Sequence, residues 1–192
     1  MDFIEILNTR TSVPPKILVE PAPDPEQLAL FLSTALRAPD HGAIQPWRFH
    51  VVRGDARAKL GELFAQALLK REPDAPEAAV AKERLRPSFA PLAIVVGAQI
   101  TTDNPGVPPV EQIVSTGAAI QNIMNAAHAS GYATFLSTGI RARDAHIKRA
   151  FGFGETDELV GFLYIGTPKS RQSVKPRPDP MQFTTQWTGP IG

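Results

Sequence analysis

The sequence predicts an α+β protein, a mostly antiparallel central sheet flanked by helices. Three observations point there. Helical and strand-like segments interleave, but their connections are too uneven for a regular doubly wound sheet. Leu92 to Gly97 is a continuous apolar run of the kind that forms a buried strand, and Glu158 to Ile165 reads as a strong strand. Between them, residues from about Pro109 to Ser130 are apolar or small almost all round, which marks a buried helix. The chain has 192 residues, no internal repeat and no long interior linker, so one domain spanning 1–192 is expected.

The remaining elements follow in order. Phe3, Ile4, Ile6 and Leu7 fit a short first helix that stops in Asn8-Thr9-Arg10-Thr11-Ser12, and Val13-Pro14-Pro15 then forces extended backbone. Asp24-Pro25-Glu26-Gln27 is a helix start, with Asp24 as N-cap, Pro25 at N1 and Gln27 at N3. That helix should run to about Arg37, where Ala38-Pro39 ends it. Trp47 to Val52 alternates as a strand does. Leu60, Leu63, Phe64, Ala67 and Leu68 line one face of an amphipathic helix. Residues 72–86 read as a charged helical excursion ending at Pro87. Tyr132 to Thr138 reads as a short strand and Asp144 to Phe151 as a short helix. Gly152-Phe153-Gly154 reads as a helix C-terminus and turn.

Two features leave a choice open. The small residues of the long helix suit a core helix, or a core helix that also forms a dimer seam. After Gly166 the proline-rich tail cannot pack as regular structure on its own. Its Met181, Phe183 and Trp187 need cover, either from their own subunit or from a partner.

Composition narrows the chemistry. With 20 basic and 19 acidic residues, net charge is +1, and nothing argues for nucleic acid or an anionic membrane as partner. The chain has no cysteine, which excludes disulfides, thiolate catalysis and Cys-ligated metal centres. Any redox chemistry must therefore come from a bound cofactor. No P-loop and no G-x-S-x-G elbow is present. The four histidines lack metal-site spacing, so no metal is expected; His50 reads as a satisfied sheet residue, His128 and His146 as helix-surface residues. Met1-Asp2-Phe3-Ile4-Glu5 is no secretory signal, and Val110 to Gly131 is too polar for a lone bilayer span, so a cytoplasmic location is expected.

Two segments carry candidate chemistry. Arg37-Ala38-Pro39-Asp40-His41-Gly42-Ala43-Ile44-Gln45-Pro46-Trp47 crowds polar and aromatic side chains between a helix end and a strand start, where binding loops sit. It also reads as an ordinary solvated loop. Thr9-Arg10-Thr11-Ser12 sets a guanidinium among hydroxyls, which is good phosphate chemistry. It also reads as a helix C-terminus whose Arg complements the dipole.

Taken in order, these segments resemble the nitroreductase superfamily. The pattern is Arg10-x-Ser12, a helix, Ala38-Pro39 followed by Gln45-Pro46-Trp47, then Gly131-Tyr132-Ala133-Thr134 and Gly161 to Pro168. The form Arg37-Ala-Pro-Asp-His41 is similar to the small, minimal branch of that superfamily, and the resemblance spans essentially the whole chain.

The resemblance implies a nitroreductase-like fold and an intertwined homodimer with flavin mononucleotide (FMN) at the subunit interface. It implies NAD(P)H as electron donor, a small-molecule acceptor, and a tail from about 167 to 192 wrapping the partner. Arg10, Thr11 and Ser12 would hold the ribityl phosphate and nearby flavin edge. Arg37 and His41 would contact FMN, His41 reaching the other subunit's cofactor. Leu136, Ser137 and Thr138 would lie along the isoalloxazine, and Lys175 and Arg177 would complete the phosphate site. Arg37 is also the candidate electrostatic stabiliser, since its charge persists at any working pH; no other catalytic side chain is implied. Hydride transfer between NAD(P)H and a nitroaromatic, quinone or similar acceptor would follow ping-pong kinetics. A dehalogenase or dehydrogenase acceptor within the superfamily, or a non-enzymatic FMN-binding module, is the alternative. Some positions depart from the pattern. Thr11 stands where relatives often carry a second Arg, and Leu136-Ser137 stand where the minimal branch carries Trp-Arg. The second change removes bulk and a charge beside the ring.

Overall fold

The computed structural model describes residues 2–170 and 172–190. Its frame is a five-stranded sheet in the order β1-β5-β3-β2, with β4 also paired to β5. The strands are β1 (Leu18–Val19), β2 (Trp47–Arg53), β3 (Leu92–Ala98), β4 (Ala133–Ser137) and β5 (Glu158–Pro168). Every pairing between them is antiparallel. The helices are α1 (Phe3–Thr9), α2 (Pro25–Ala35), α3 (Ala56–Arg71), α4 (Glu77–Leu85), α5 (Pro109–Ala129) and α6 (Ala145–Ala150). The expected α+β class is what forms.

β5 is the hub because its apolar run is long enough to serve β1, β3 and β4 at once. Alternation along β3 sends its residues to both sheet faces. Ala93 and Val95 join Leu60, Phe64, Phe162 and Tyr164 on one face. Leu92, Ile94 and Val96 join Phe31, Ile120, Ile123, Leu163 and Ile165 on the other, beneath α2 and α5. With both faces covered, β3 is wholly buried, which is why it reads as a continuous apolar run.

Local signals act where they were expected. Asp24 accepts from the Gln27 N–H at 2.8 Å while the Gln27 side chain accepts from the Asp24 N–H at 3.1 Å, closing a capping box with Pro25 in the first turn. Gly152 has φ +79° at the end of α6, and Phe153 then lies on Gly97, where an added Cβ would come within 2.1 Å of the ring.

Other features differ from expectation. β1 is only two residues long, paired to Thr167 and Pro168, so the tail begins after Pro168. Short 3-10 turns form at Pro15–Ile17, His41–Ala43 and Arg86–Phe89, and one gives the tail regular structure at Pro180–Phe183. Residues 173–188 are all exposed, so Met181, Phe183 and Trp187 receive little cover from the described residues of their own subunit. His146 and His128 are half-buried rather than on the surface. His50 is half-buried against the rings of Phe151 and Phe153, at centroid distances of 5.2 and 5.7 Å, and burial pushes its pKa down.

Two of the contacts that hold the charged excursion are open to test. Gly61 of α3 lets the backbone of Arg84 in α4 approach so closely that an added Cβ would stand 2.0 Å from the Arg84 carbonyl oxygen. Gly61→Ala should therefore destabilise the fold: overpacking costs about 1–3 kcal/mol, against about 1 kcal/mol gained from helix propensity. Chemical denaturation should show a lower midpoint, and an unchanged one would mean that α4 yields freely.

The second contact is Glu83, which accepts from Arg141 at 2.5 and 2.6 Å and from Arg86 at 2.8 Å. It ties α4 to the loop that follows β4. Burial alone would raise the Glu83 pKa, but Arg141 and Arg86 outweigh it and hold the carboxyl below 4.5. Because the folded pKa is depressed, this contribution to stability is complete above pH 4.5 and is lost as pH falls through the folded value. Glu83→Gln should lower stability at neutral pH and flatten that acid limb, as read by urea melts across pH.

Candidate active site

The extended segment after α1 builds the first part of the site. Ser12 forms a parallel bridge to Thr134, and the Val13 N–H donates to the Thr134 carbonyl at 3.0 Å. The loop that carries Arg10 is thus stitched beside the start of β4. Leu136 and Ser137 lie two and three residues further along that strand and Thr138 follows it, about 7–13 Å from Thr134 at strand rise. One strand therefore joins the Arg10 end of the site to the Leu136–Thr138 end. At that second end Gly161 on β5 lets the chains close up, since a Cβ there would stand 2.8 Å from the Ser137 carbonyl oxygen.

Arg10 is the electrostatic centre. Burial, and then Arg177 of the tail, push its guanidinium pKa below the ordinary value, yet an arginine at this depth stays charged. Its Nη1 is buried and finds no hydrogen-bond partner among the described residues, and neither does the buried Thr11 Oγ1. Two cations facing each other, one with an orphaned donor, are unfavourable unless an anion lies between them. The arrangement fits a phosphomonoester and hence the phosphate of FMN.

Thr11 and Val13 point into a cavity of about 300 Å³ shared with Glu5, Thr9, His128, Gln172 and Val174. The Thr9 hydroxyl donates to the Glu5 carbonyl at 2.7 Å and lies 3.0 Å from His128 Nε2. Thr9 stood in the segment singled out from the sequence, but its contact with His128 escaped sequence reasoning, because the two are 119 positions apart and no motif joins them.

The other sequence-derived residues stand elsewhere in the chain. Arg37 is exposed and lines a cleft of about 290 Å³ with Phe3, Ile6, Asn122 and Asn125, along the opposite flank of α1 from the Thr11 cavity. His41 is exposed too, its Nδ1 2.6 Å from Glu111 Oε2 near the start of α5. Lys175 and Arg177 are exposed on the tail. The loop behind His41 is strained. Ala43 and Gln45 have φ of +52° and +54° beside Gly42 at +68°, and left-handed non-glycine residues cost about 1–3 kcal/mol each. Asp40 holds that loop by accepting from the Gln45 N–H at 2.9 Å, and Trp47 Nε1 fastens the next turn to Ser115 at 3.0 Å. Rigid strain of this kind collects at ligand clamps. Within a single chain the cavity at Thr11, the cleft at Arg37 and the cleft at His41 are three separate ones.

Fold and site together define an α+β scaffold with an anion-accepting cluster at Arg10, and comparison with known proteins gives it a family. The Nitroreductase family model matches residues 8–167, and the chain belongs to that family. Among individual relatives, it is similar to "Putative NAD(P)H nitroreductase YdjA" of Escherichia coli (strain K12), 38% identical over 186 residues, covering 96% of this chain and 99% of that one. A protein of Haemophilus influenzae bearing the same description without the YdjA name is 35% identical over 167 residues, covering 87% and 89%. Among solved structures, a nitroreductase-like family protein from Bacillus cereus matches with TM-score 0.83 at 21% identity, covering 98% of this chain and 97% of its own. A point mutant of the FMN and NADPH-dependent nitroreductase NfnB, derived from sphigopyxis sp. strain HMH, matches with TM-score 0.70 at 21% identity, covering 98% and 100%. Membership carries the coarse assignment of oxidoreductase.

Proposed function

We propose that this protein is an FMN-dependent NAD(P)H oxidoreductase of nitroreductase type, acting as a homodimer on nitroaromatics, quinones or similar electron-poor acceptors. The observation that carries the reading is Arg10, a half-buried guanidinium whose buried Nη1 has no partner among the described residues and which feels the charge of Arg177, in a chain of the nitroreductase family. The name of the NfnB neighbour, FMN and NADPH-dependent, supports the same cofactor pair.

Bound FMN supplies a reversible two-electron carrier that takes hydride from NAD(P)H and passes electrons to the acceptor. The residues of this chain do the rest. Arg10, Arg177 and Lys175 hold the phosphate by charge-assisted bonds, with Thr11 and Ser12 beside them. Leu136, Ser137 and Thr138 bound the ring, and Leu136-Ser137 leave more room there than a Trp-Arg pair would. Arg37 and His41 complete the site of the second copy, which accounts for their lining clefts separate from the Thr11 cavity within one chain. The exposed apolar residues Val110 and Val114 on α5, with Trp187 of the tail, are the surface that pairing covers.

Arg37 supplies a fixed positive charge beside the cofactor. Arg37→Ala should weaken FMN binding or slow reduction by up to about 3 kcal/mol, the worth of a strong oxyanion donor. Unchanged flavin content and an unchanged rate of reduction would remove Arg37 from the site. The reaction order is tested by steady-state kinetics with NADH or NADPH varied against a nitroaromatic or a quinone. Parallel double-reciprocal lines are expected. Intersecting lines would contradict alternating use of one site, and absence of turnover across the panel would favour another acceptor class.

A further inference from the structure

We propose that His128 is a further member of the phosphate-binding cluster, an imidazole that becomes charged when a phosphomonoester occupies Arg10. The proposal rests on the cofactor reading above. It stands on the cavity that His128 shares with Thr9 and Thr11, and on the orphaned Nη1 of Arg10.

The hydrogen bonds fix the tautomer. The one proton of the Thr9 hydroxyl goes to the Glu5 carbonyl, which can only accept. Toward His128 the hydroxyl can therefore only accept, so His128 Nε2 carries a proton and donates across 3.0 Å. The atom that gains the second proton is Nδ1. Thr9 thus holds the ring in one orientation in both charge states, directly beside Arg10 in sequence.

Among the described residues, the charged groups near the ring have defined effects. Burial, and then the positive charge of Arg10, hold the His128 pKa below 6.5. Arg177 faces Arg10 from the tail and adds to the positive field. Glu5 of α1 shares the cavity with opposite sign, but it is exposed and screened. Tyr132 donates its hydroxyl proton to Gln27 Oε1 at 2.7 Å rather than to the ring. His128 itself lies in the last turn of α5, where the helix dipole favours a cation. Burial is the larger of the two effects that keep the ring neutral, and the repulsion from Arg10 is the one that a ligand can reverse. An anion on Arg10 cancels that repulsion and leaves burial alone against the dipole and the new negative charge. Phosphate binding and proton uptake at His128 then favour each other, as linkage requires.

The test is an NMR titration of the imidazole signals, with His128→Gln used to assign its resonance among the four histidines. The protein stripped of flavin is titrated alone, then with FMN, with riboflavin and with inorganic phosphate. FMN should raise the His128 pKa by about one unit, the scale of one close opposite charge. Phosphate should raise it in the same direction, while riboflavin, lacking the anion, should leave it in place. FMN that binds without moving His128 would overturn the proposal and leave the cofactor reading intact. An equal shift with riboflavin would overturn it as well, by removing the phosphate from the cause. If no flavin binds, the cofactor reading falls and inorganic phosphate alone decides: a raised pKa supports the anion cluster, and an unmoved one ends it.

Discussion

Replacing Arg10 with glutamine is expected to cost the protein most of its FMN affinity while leaving the flavin-free fold at least as stable. The two effects have one cause. In the free protein the guanidinium is partly buried, has an unpaired Nη1 and faces a second cation, so it stabilises nothing. With phosphate present, the same group makes charge-assisted bonds worth about 1.5–3 kcal/mol each. Losing one or two of them weakens binding by about 10- to 10,000-fold on that scale. Fluorescence titration with FMN measures the first effect, and thermal melts of the stripped protein measure the second. A variant that keeps wild-type affinity would place the phosphate elsewhere. A variant that loses affinity only because it melts would make Arg10 structural.

The second large effect is expected at α5. Val114 is 66% exposed and Val110 63%, on a helix whose opposite face carries Ile120, Ile123 and Met124 into the core. An outward valine supports nothing within the chain, so Val114→Glu should leave the monomer's fold unchanged. In the proposed dimer it places a carboxylate in an apolar seam, and burying an unpaired charge costs several kcal/mol. Light scattering should show monomer where the parent protein shows dimer. Flavin content should fall with it, because Arg37 and His41 of the second copy leave the site. A variant that remains dimeric and yellow would move the seam away from α5. A monomer that retains its flavin would show that one chain suffices to bind it.

How much of this was legible in the sequence depends on the range of the forces involved. The capping box at Asp24 was readable because its parts lie within four residues. The buried strand Leu92–Ala98 was readable because burial on two faces leaves only apolar positions. β1 was not, since two residues carry no period and Leu18 and Val19 become a strand only by pairing with Thr167 and Pro168. The left-handed conformations at Ala43 and Gln45 were hidden because neither residue prefers them; Asp40 and the surrounding contacts impose them. In the site, Arg10 and Ser12 stood out as local chemistry, whereas the Thr9–His128 contact exists only after α5 is laid against α1. The tail was legible as a puzzle: Phe183 and Trp187 are each 76% exposed, so the chain announces a surface that its own fold does not cover.

The central claim, that this chain binds FMN and reduces it with a nicotinamide donor, is tested most directly by one anaerobic spectrum. The purified protein, supplied with FMN and then freed of excess, should show the two visible bands of bound flavin. Addition of NADH or NADPH should bleach them, the faster donor identifying the preferred one. Bands that persist with both donors would make the protein a flavin-binding module rather than a reductase, and a protein that emerges colourless would contradict the cofactor assignment itself.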